Sequence, residues 1–392
     1  MDVITLERRI AKSEEKDYYL EVPFDMPAGT ERLEIGLDVQ TPGAERAVID
    51  LGLKGPDRIR GWSGGARTQV SVGPEWATPG YLPGDLAPGE WSVLLGAYRV
   101  PEDGCLVRLR LSFRPEAGRW LKGDLHTHTV HSDGRYTLEE AAAVMEALGC
   151  DFIATTDHNT VSQNFAHPIT DRLVFIPGME LTTNFGHANF LGAADPVPDF
   201  RTYSFADVKE HFHHARSAGA FAVINHPQCD MCPWEWGYNL DYDAVEVWNG
   251  PWTERNERAL QWWQEQLAAG RRLPAVGGSD VHAPHPYVRH AMPTTWVYAS
   301  SRSVRGILDG IAKGRVFLSF APDGPAIDHR IGGAMIGDVF APGPDGAAVS
   351  EIRLSRVRAG DRVRIITDRG AEEERTVPED GDFAFAFEIR SR

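Results

Sequence analysis

Along the first 119 residues, apolar and polar positions alternate in short bursts rather than at helical spacing. The runs Tyr18–Val22, Arg32–Val39, Val48–Leu53, Thr68–Val72, Trp91–Ala97 and Leu106–Phe113 are rich in strand-forming residues, and turn clusters such as Thr41-Pro42-Gly43 and Ala87-Pro88-Gly89 separate them. Short strands punctuated in this way predict a β-sandwich or jelly roll over 1–119. No convergent set of His, Asp, Glu or Cys lies here, so the region reads as a packing or substrate-shaping module. The loop Gly61-Trp62-Ser63-Gly64-Gly65 is its one candidate for glycan contact.

From Trp120 the pattern turns to strands alternating with amphipathic helices. Leu125–Val130 reads as a strand and Thr137–Leu148 as a helix, with Thr137 as N-cap and Glu140 at capping-box spacing. Phe152–Thr156 and Leu173–Ile176 follow as strands, then a helix over Phe205–Ser217 and strands over Phe221–Asn225 and Val245–Asn249. A helix over Glu254–Ala269 leads to Ala275–Gly278. Repeated strand–helix units predict a parallel sheet closed or nearly closed into a barrel over 120–320. From 321 to 392 the chain returns to β, with a Pro342-Gly343-Pro344 turn, a strand at Val363–Thr367 and clean alternation in Phe383-Ala384-Phe385-Ala386-Phe387. That stretch is expected to be a small appendage without chemistry of its own.

A chain of 392 residues with 42% hydrophobic and 24% charged residues fits a soluble protein of two or three domains. Its formal net charge of -16 argues against a general nucleic-acid or anionic-membrane surface, which would rely on Lys and Arg. The amino terminus lacks the apolar core of a secretory signal, no run is long enough to span a membrane, and four cysteines make no disulfide framework. A cytoplasmic protein acting on a small molecule is the expectation.

The chemistry is carried by polar residues at predicted strand ends. In Asp124-Leu125-His126-Thr127-His128, the two histidines are spaced to share one side of an extended segment, and Asp133 follows in a Ser-Asp-Gly turn. Asp157-His158, Met179-Glu180, Asn225-His226 and Ser279-Asp280-Val281-His282 come next, each beyond an apolar strand. Imidazoles and carboxylates without cysteine suit zinc, manganese or iron, and α/β barrels build their sites at this rim. Asp124 and Asp157 precede candidate ligands and are expected to orient their imidazoles.

These ordered motifs, with Gly278-Ser279-Asp280-Val281-His282 the last, resemble the PHP superfamily, the polymerase and histidinol phosphatase metallohydrolases. The run Glu246-Val247-Trp248-Asn249-Gly250-Pro251-Trp252 and the leading β-region resemble its carbaryl-hydrolase-like (CehA/McbA) branch. The resemblance implies a distorted (β/α)7 barrel with two or three divalent metal ions. Carried onto this chain, it puts His126, His128, Glu180 and Asp280 around one ion and Asp133, His158 and His282 around a second. His187 and His226, with Glu180 as bridge, would hold a third. It further implies catalytic roles for His126, His128, Asp133, Glu180, Asp280 and His282, and a metal-bound hydroxide that attacks a small phosphoester. A carboxylic ester, amide or carbamate is the alternative substrate, and a silent binding scaffold the alternative class.

Trp248, Asn249 and Arg289 are the substrate-contact candidates, Arg289 for an anionic group and Trp248 as part of an aromatic wall with Trp234, Trp236, Tyr238 and Trp252. Cys229-x2-Cys232 lacks the second pair of a zinc ribbon and reads as structural, with a redox pair as the alternative. Glu210-His211-Phe212-His213-His214 reads as solvated histidines on a helix whose Phe212 faces the core. No Gly-x-Ser-x-Gly elbow is present.

Overall fold

The computed structural model describes residues 2–17, 19–342 and 346–390. Tyr18, where the first expected run begins, and Gly343-Pro344 of the expected turn lie outside the described residues. The chain divides into two compact units, Met1–Ala117 with Ile169–Asp171, and Gly118–Pro168 with Arg172–Arg392.

The first unit holds β1 (Asp2–Ile10), β2 (Leu20–Met26), β3 (Thr30–Gln40), β4 (Val48–Lys54), β5 (Ile59–Trp62), β6 (Gln69–Val72), β7 (Gly89–Arg99) and β8 (Cys105–Pro115). They form two four-stranded antiparallel sheets, β1-β8-β3-β6 and β2-β7-β4-β5. Alternation supplies the core between them: Val107, Leu109, Leu111 and Phe113 of β8 point inward with Leu33, Ile35, Leu51, Leu53 and Trp91. β1 is absent from the sequence reading: Ile4, Leu6 and Ile10 share one face, but the strand is nearly all exposed. Its pairing along β8 holds it in place. Trp62 is half-buried over Gly52 and Gly96, where a Cβ would come within 2.5 and 3.0 Å of its ring, and it meets Tyr19 edge-on at 5.5 Å.

The second unit is mixed α/β. It contains β9 (Arg119–Asp124), α1 (Leu138–Ala147), β10 (Phe152–Thr155), β11 (Val174–Thr183), β12 (Gly186–Leu191), α2 (Phe205–Ser217), β13 (Phe221–Ile224), β14 (Ala244–Asn249), α3 (Glu254–Ala268), β15 (Ala275–Gly278), β16 (Thr294–Ala299), α4 (Val304–Ala312) and β17 (Val316–Ser319). The strands make one nine-stranded sheet in the order β15-β14-β13-β12-β11-β10-β9-β16-β17. β10 and β13 are buried at every position, as strands covered on both faces should be. The predicted capping box starts α1: Glu140 N–H donates to Thr137 Oγ1 at 3.1 Å, and Thr137 N–H to Glu140 Oε2 at 2.9 Å.

The sheet nearly closes on itself. Beyond β15, Asp280 N–H donates to the His126 carbonyl (2.9 Å) and His128 N–H to the Val281 carbonyl (3.1 Å). Thr295 of β16 accepts from Gly277 N–H (2.9 Å) and donates to the Gly277 carbonyl (2.7 Å). The strict strand–helix alternation of a (β/α)7 barrel is interrupted, because β11 and β12 form an antiparallel hairpin. The sequence hides it, since β11 runs ten residues straight through Pro177-Gly178, a pair that reads as a break. Beyond β17, β18 (Ala326–Ile331), β19 (Ala334–Met335), β20 (Ala347–Val357), β21 (Arg362–Thr367), β22 (Gly370–Thr376) and β23 (Gly381–Arg390) make a four-stranded sheet and a two-stranded hairpin. Their small core includes Ile352, Leu354, Val357 and Val377. Among the described residues no helix is long and apolar enough to cross a membrane.

Candidate metal centre

The rim formed by the carboxyl ends of the parallel strands collects the donors. His126 and His128 follow β9, His158 follows β10, His226 follows β13, and Asp280 and His282 follow β15. Glu180 lies within β11, past the end of its pairing with β10. His187 is the second residue of β12, and because that strand runs antiparallel its amino end lies at the same rim. All nine residues named as metal ligands from the sequence fall into four groups whose donor atoms lie within 4.8 Å of one another. These are His126-His128-Asp280, His128-Asp133-His158-His282, His126-Glu180-His226 and His187-His226-Cys232.

In the first group, His126 Nε2 is 3.4 Å and His128 Nε2 3.1 Å from Asp280 Oδ1. Glu180, fully buried, adds Oε1 at 3.2 Å from His126 Nε2 and Oε2 at 3.7 Å from His128 Nε2. Glu180 Oε1 also meets His187 Nδ1 (3.1 Å), His226 Nε2 (3.6 Å) and the Asn225 amide (2.8 Å). Its Oε2 lies 2.6 Å from His158 Nδ1. In the second group, His282 Nε2 stands 3.3 Å from His158 Nε2 and 3.4 Å from Asp133 Oδ1. The His282 Nδ1–H donates to the Asp280 carbonyl at 2.9 Å, which turns its Nε2 towards Asp133 and His158.

Three features fit cations among these donors. His128 Nδ1 is buried without a hydrogen-bond partner, a state that costs about 1–3 kcal/mol unless something else satisfies it, and the buried His126 Nε2 and His128 Nε2 face carboxylate oxygens at 3.1–3.4 Å. Four tetrahedral ligands about 2.1 Å from a metal lie roughly 3.4 Å apart, and the 3.1, 3.2, 3.4 and 3.7 Å separations in the first group bracket that spacing. The backbone is also strained at two donors. His226 has φ 25° and Asp280 φ 54°, conformations that cost a non-glycine residue of order 1–3 kcal/mol and persist where neighbours over-determine them. The His226 N–H is held by Glu246 Oε2 at 2.9 Å and the Asp280 N–H by the His126 carbonyl at 2.9 Å.

Charge in the cluster is mutually compensating. Burial opposes a charged His126, but Asp280, Glu246 and Glu180 together outweigh it and hold its pKa well above the usual value. Burial likewise works against ionised Glu180 and Asp280, and the surrounding imidazoles, His126 foremost, bring both carboxyls well below theirs. For His128 burial wins, and its pKa is lowered.

Other expectations are revised by the contacts. Asp124 holds backbone, and Asp157 backbone and hydroxyl groups, rather than imidazoles. Asp124 accepts from the N–H groups of His126 (3.2 Å), Ser279 (2.9 Å) and Ala291 (2.7 Å), and burial pushes its pKa up to about 6 against these bonds. Asp157 ties down Thr129 and Ser132 at 2.8–2.9 Å. The carboxylate that does orient an imidazole is Glu246, whose Oε1 takes the His126 Nδ1–H at 3.1 Å. A carboxylate within a buried strand, between Val245 and Val247, was the available signal. Asn249 is buried and engaged with Glu246 Oε2 (3.1 Å), Asp280 Oδ2 (3.4 Å) and Arg255. Arg289 is exposed and donates to the Pro286 carbonyl within its own turn at 3.0 Å, whereas Arg255 reaches Asn249 Oδ1 at 2.9 Å.

Trp248 is half-buried and packs edge-on against Trp252 at 4.9 Å. Trp234 belongs to the core. His213 and His214 are exposed, but His211 is buried, its Nε2 3.1 Å from Thr202 Oγ1 and 3.2 Å from the Arg201 carbonyl. Cys229 and Cys232 lie 3.4 Å apart, sulfur to sulfur. The S–H···S bond between them lowers the Cys229 thiol to about 4 and raises that of Cys232.

No protein-family model and no curated protein matches this chain. Solved structures do. One is a two-domain protein from Bacteroides vulgatus containing a predicted PHP-like metal-dependent phosphoesterase, 21% identical over 69% of this chain and 88% of that one, with a TM-score of 0.43. The lesion-specific endonuclease PfuEndoQ from Pyrococcus furiosus is 13% identical over 51% and 58%, with a TM-score of 0.37. An amidohydrolase from Chromobacterium violaceum with bound sulfate and no metal is 17% identical over 51% and 97%, with a TM-score of 0.31. At such distances the functional reading rests on the donor geometry.

Proposed function

We propose that this chain is a metal-dependent hydrolase of the PHP type, in the carbaryl-hydrolase-like branch, that cleaves a small phosphoester. The observation that carries the reading is the convergence of nine His, Asp and Glu donors on one rim, with the buried Nε2 atoms of His126 and His128 facing the carboxylates of Glu180 and Asp280. His126, His128, Glu180 and Asp280 would hold one cation, Asp133, His158 and His282 a second, and His187 and His226 a third that shares Glu180. Zinc, manganese or iron at these positions would supply Lewis acidity and an activated water near neutral pH. The protein's own part is to fix the donors. Glu246 orients the His126 ring, Asp124 and Asp157 pin the loops that carry the ligands, and Asn249 links Glu246 to Asp280. The unit before residue 118 is taken to pack or shape rather than react.

A second reading, cleavage of a carboxylic ester, amide or carbamate, is favoured by Arg289, the expected phosphate contact, which bonds within its own turn instead. One experiment covers both readings: elemental analysis of the purified chain, then chelation, metal return and a panel of chromogenic phosphate and carboxylate esters. Activity should vanish with chelator and return with metal, with phosphate esters preferred. A preference for carboxylate esters would select the second reading. A chain with no divalent metal and no activity on refilling would refute both and leave a binding scaffold.

Two further outcomes follow from the geometry. Glu246→Gln keeps the shape but weakens the grip on His126, and should lower metal affinity roughly 10–100-fold, as losses of ligand-orienting partners do. An unchanged affinity in a metal titration would remove Glu246 from that role.

The second outcome is a pH dependence. In the metal-free chain the raised pKa of His126 contributes stability that is full below about 6.5 and lost as pH rises through the folded value. The depressed Glu180 and Asp280 contribute above about 4 and lose it as pH falls through their folded values. At neutral pH a cation must therefore displace the His126 proton. Metal affinity should rise with pH by about tenfold per unit for each proton released, and calorimetry in buffers of different ionisation heat should count those protons. Affinity independent of pH would take His126 out of the ligand set.

A further inference from the structure

The four donor groups contain every ligand named from the sequence and one residue besides, Cys232. Its Sγ and one ring nitrogen each of His187 and His226 lie within 4.8 Å of one another. We propose that Cys232 is a sulfur ligand, together with His187 and His226, of a cation at this position, which unlike its neighbours is a mixed sulfur–nitrogen site. The proposal rests on the metal-dependent reading above and adds a ligand and a metal preference to it.

Local folding explains how the cysteine arrives there. Cys229 N–H donates to the His226 carbonyl at 2.9 Å and Trp234 N–H to the Pro227 carbonyl at 3.1 Å, so the chain after β13 doubles back on itself. Trp234 is buried in the core and anchors the return. Residue 232 is thereby brought over residue 226, with Sγ 3.9 Å from His226 Nδ1. Three donors of metal-binding type thus converge at this point, while Glu180 Oε1 faces the other nitrogen of the His226 ring, Nε2, at 3.6 Å.

The donor chemistry sets the metal. A thiolate beside two imidazoles favours zinc or iron over magnesium, calcium or manganese. Ligation needs no oxidant: the Cys232 thiol proton passes to solvent as the sulfur–metal bond forms. Two other roles compete for the same sulfur. It can act only as a hydrogen-bond partner of the far nitrogen of His226, or it can belong to a pair with Cys229, 3.4 Å away.

Cobalt(II) loading of the full chain, with both thiols kept reduced, separates these roles. A ligating thiolate gives a near-ultraviolet sulfur-to-cobalt charge-transfer band, which an outer hydrogen-bonding thiol does not. The band is expected in the native chain and in Cys229→Ser, and lost in Cys232→Ser, which keeps a hydrogen-bonding group but not the soft donor. Cobalt affinity at that position should fall at least roughly tenfold in Cys232→Ser, the lower end of what even an indirect metal partner contributes. A readout independent of any variant's folding is alkylation of native Cys232 by iodoacetamide, followed by peptide mass spectrometry. It should slow severalfold on cobalt loading and recover on chelation. Cobalt bound without the band, and with alkylation unchanged, would overturn the sulfur ligand while leaving the hydrolase reading intact. A band lost in Cys229→Ser and kept in Cys232→Ser would also overturn it. No cobalt bound at all would overturn both.

Discussion

Glu180→Ala is expected to cost the chain most of its metal and nearly all of its activity. The side chain is fully buried, and its two oxygens face different donors: Oε1 meets His126, His187, His226 and Asn225, while Oε2 meets His158 and His128. No other carboxylate among the described residues reaches into three of the proposed positions. Its removal should lower metal stoichiometry more than loss of a peripheral donor such as Asp133, which contacts only the His158–His282 side. Loss of a few kcal/mol of transition-state charge stabilisation corresponds to roughly 10³-fold in kcat/KM. Stability should fall as well, by roughly 3–5 kcal/mol in the metal-free chain, because removing one partner of a buried ion pair leaves the other uncompensated. Elemental analysis and denaturant unfolding check the two parts separately. Unchanged metal content in Glu180→Ala would sink the cluster.

How much of this was legible beforehand depends on the kind of signal. Most of the donors were, because His158, Glu180, His226, Asp280 and His282 each sit one to four residues beyond an apolar run, and an apolar run ending in a polar residue is a local pattern. Helices α1, α2 and α3 were legible for the same reason, with caps at Thr137 and Ser204 marking two of the starts. The hairpin of β11 and β12 was not, since Pro177-Gly178 reads as a break and pairing with β10 and β12 keeps the chain extended there. Nor were β1, a mostly exposed strand whose Ile4, Leu6 and Ile10 face is interrupted by Arg8, or the roles of Glu246, Arg255 and Cys232. Those three act through contacts with residues distant in sequence, such as the 120-residue separation of Glu246 from His126. Local patterns reveal which side chains could bind a metal. Which other side chains hold them in place is decided by tertiary packing.

Gly278→Ala is expected to damage the same centre without touching a donor. Gly278 ends β15 beside His126, and a Cβ there would lie 2.3 Å from His126 Cβ, 2.7 Å from Glu246 Oε1 and 3.0 Å from the His126 backbone nitrogen. Its φ lies outside the left-handed range that would demand glycine, so the effect is one of space alone. The His126 Cβ is no flexible tip, and its backbone is fixed by Asp124 and by Asp280 N–H. The methyl must therefore displace β9 from β15 or tilt the imidazole away from Glu246. Overpacking of this kind costs about 1–3 kcal/mol or more. A shift of about 1 Å in a positioned group costs roughly 10²-fold in rate. Metal affinity should fall with it, since the His126 and Asp280 donors move apart. Gly333→Ala is the control. No atom lies within 4 Å of its Cβ position, and it should change stability by less than about 0.5 kcal/mol and leave metal binding intact. Measured by unfolding midpoint, metal titration and kcat/KM, equal behaviour of the two variants would mean that β15 does not press on His126 as the structure has it.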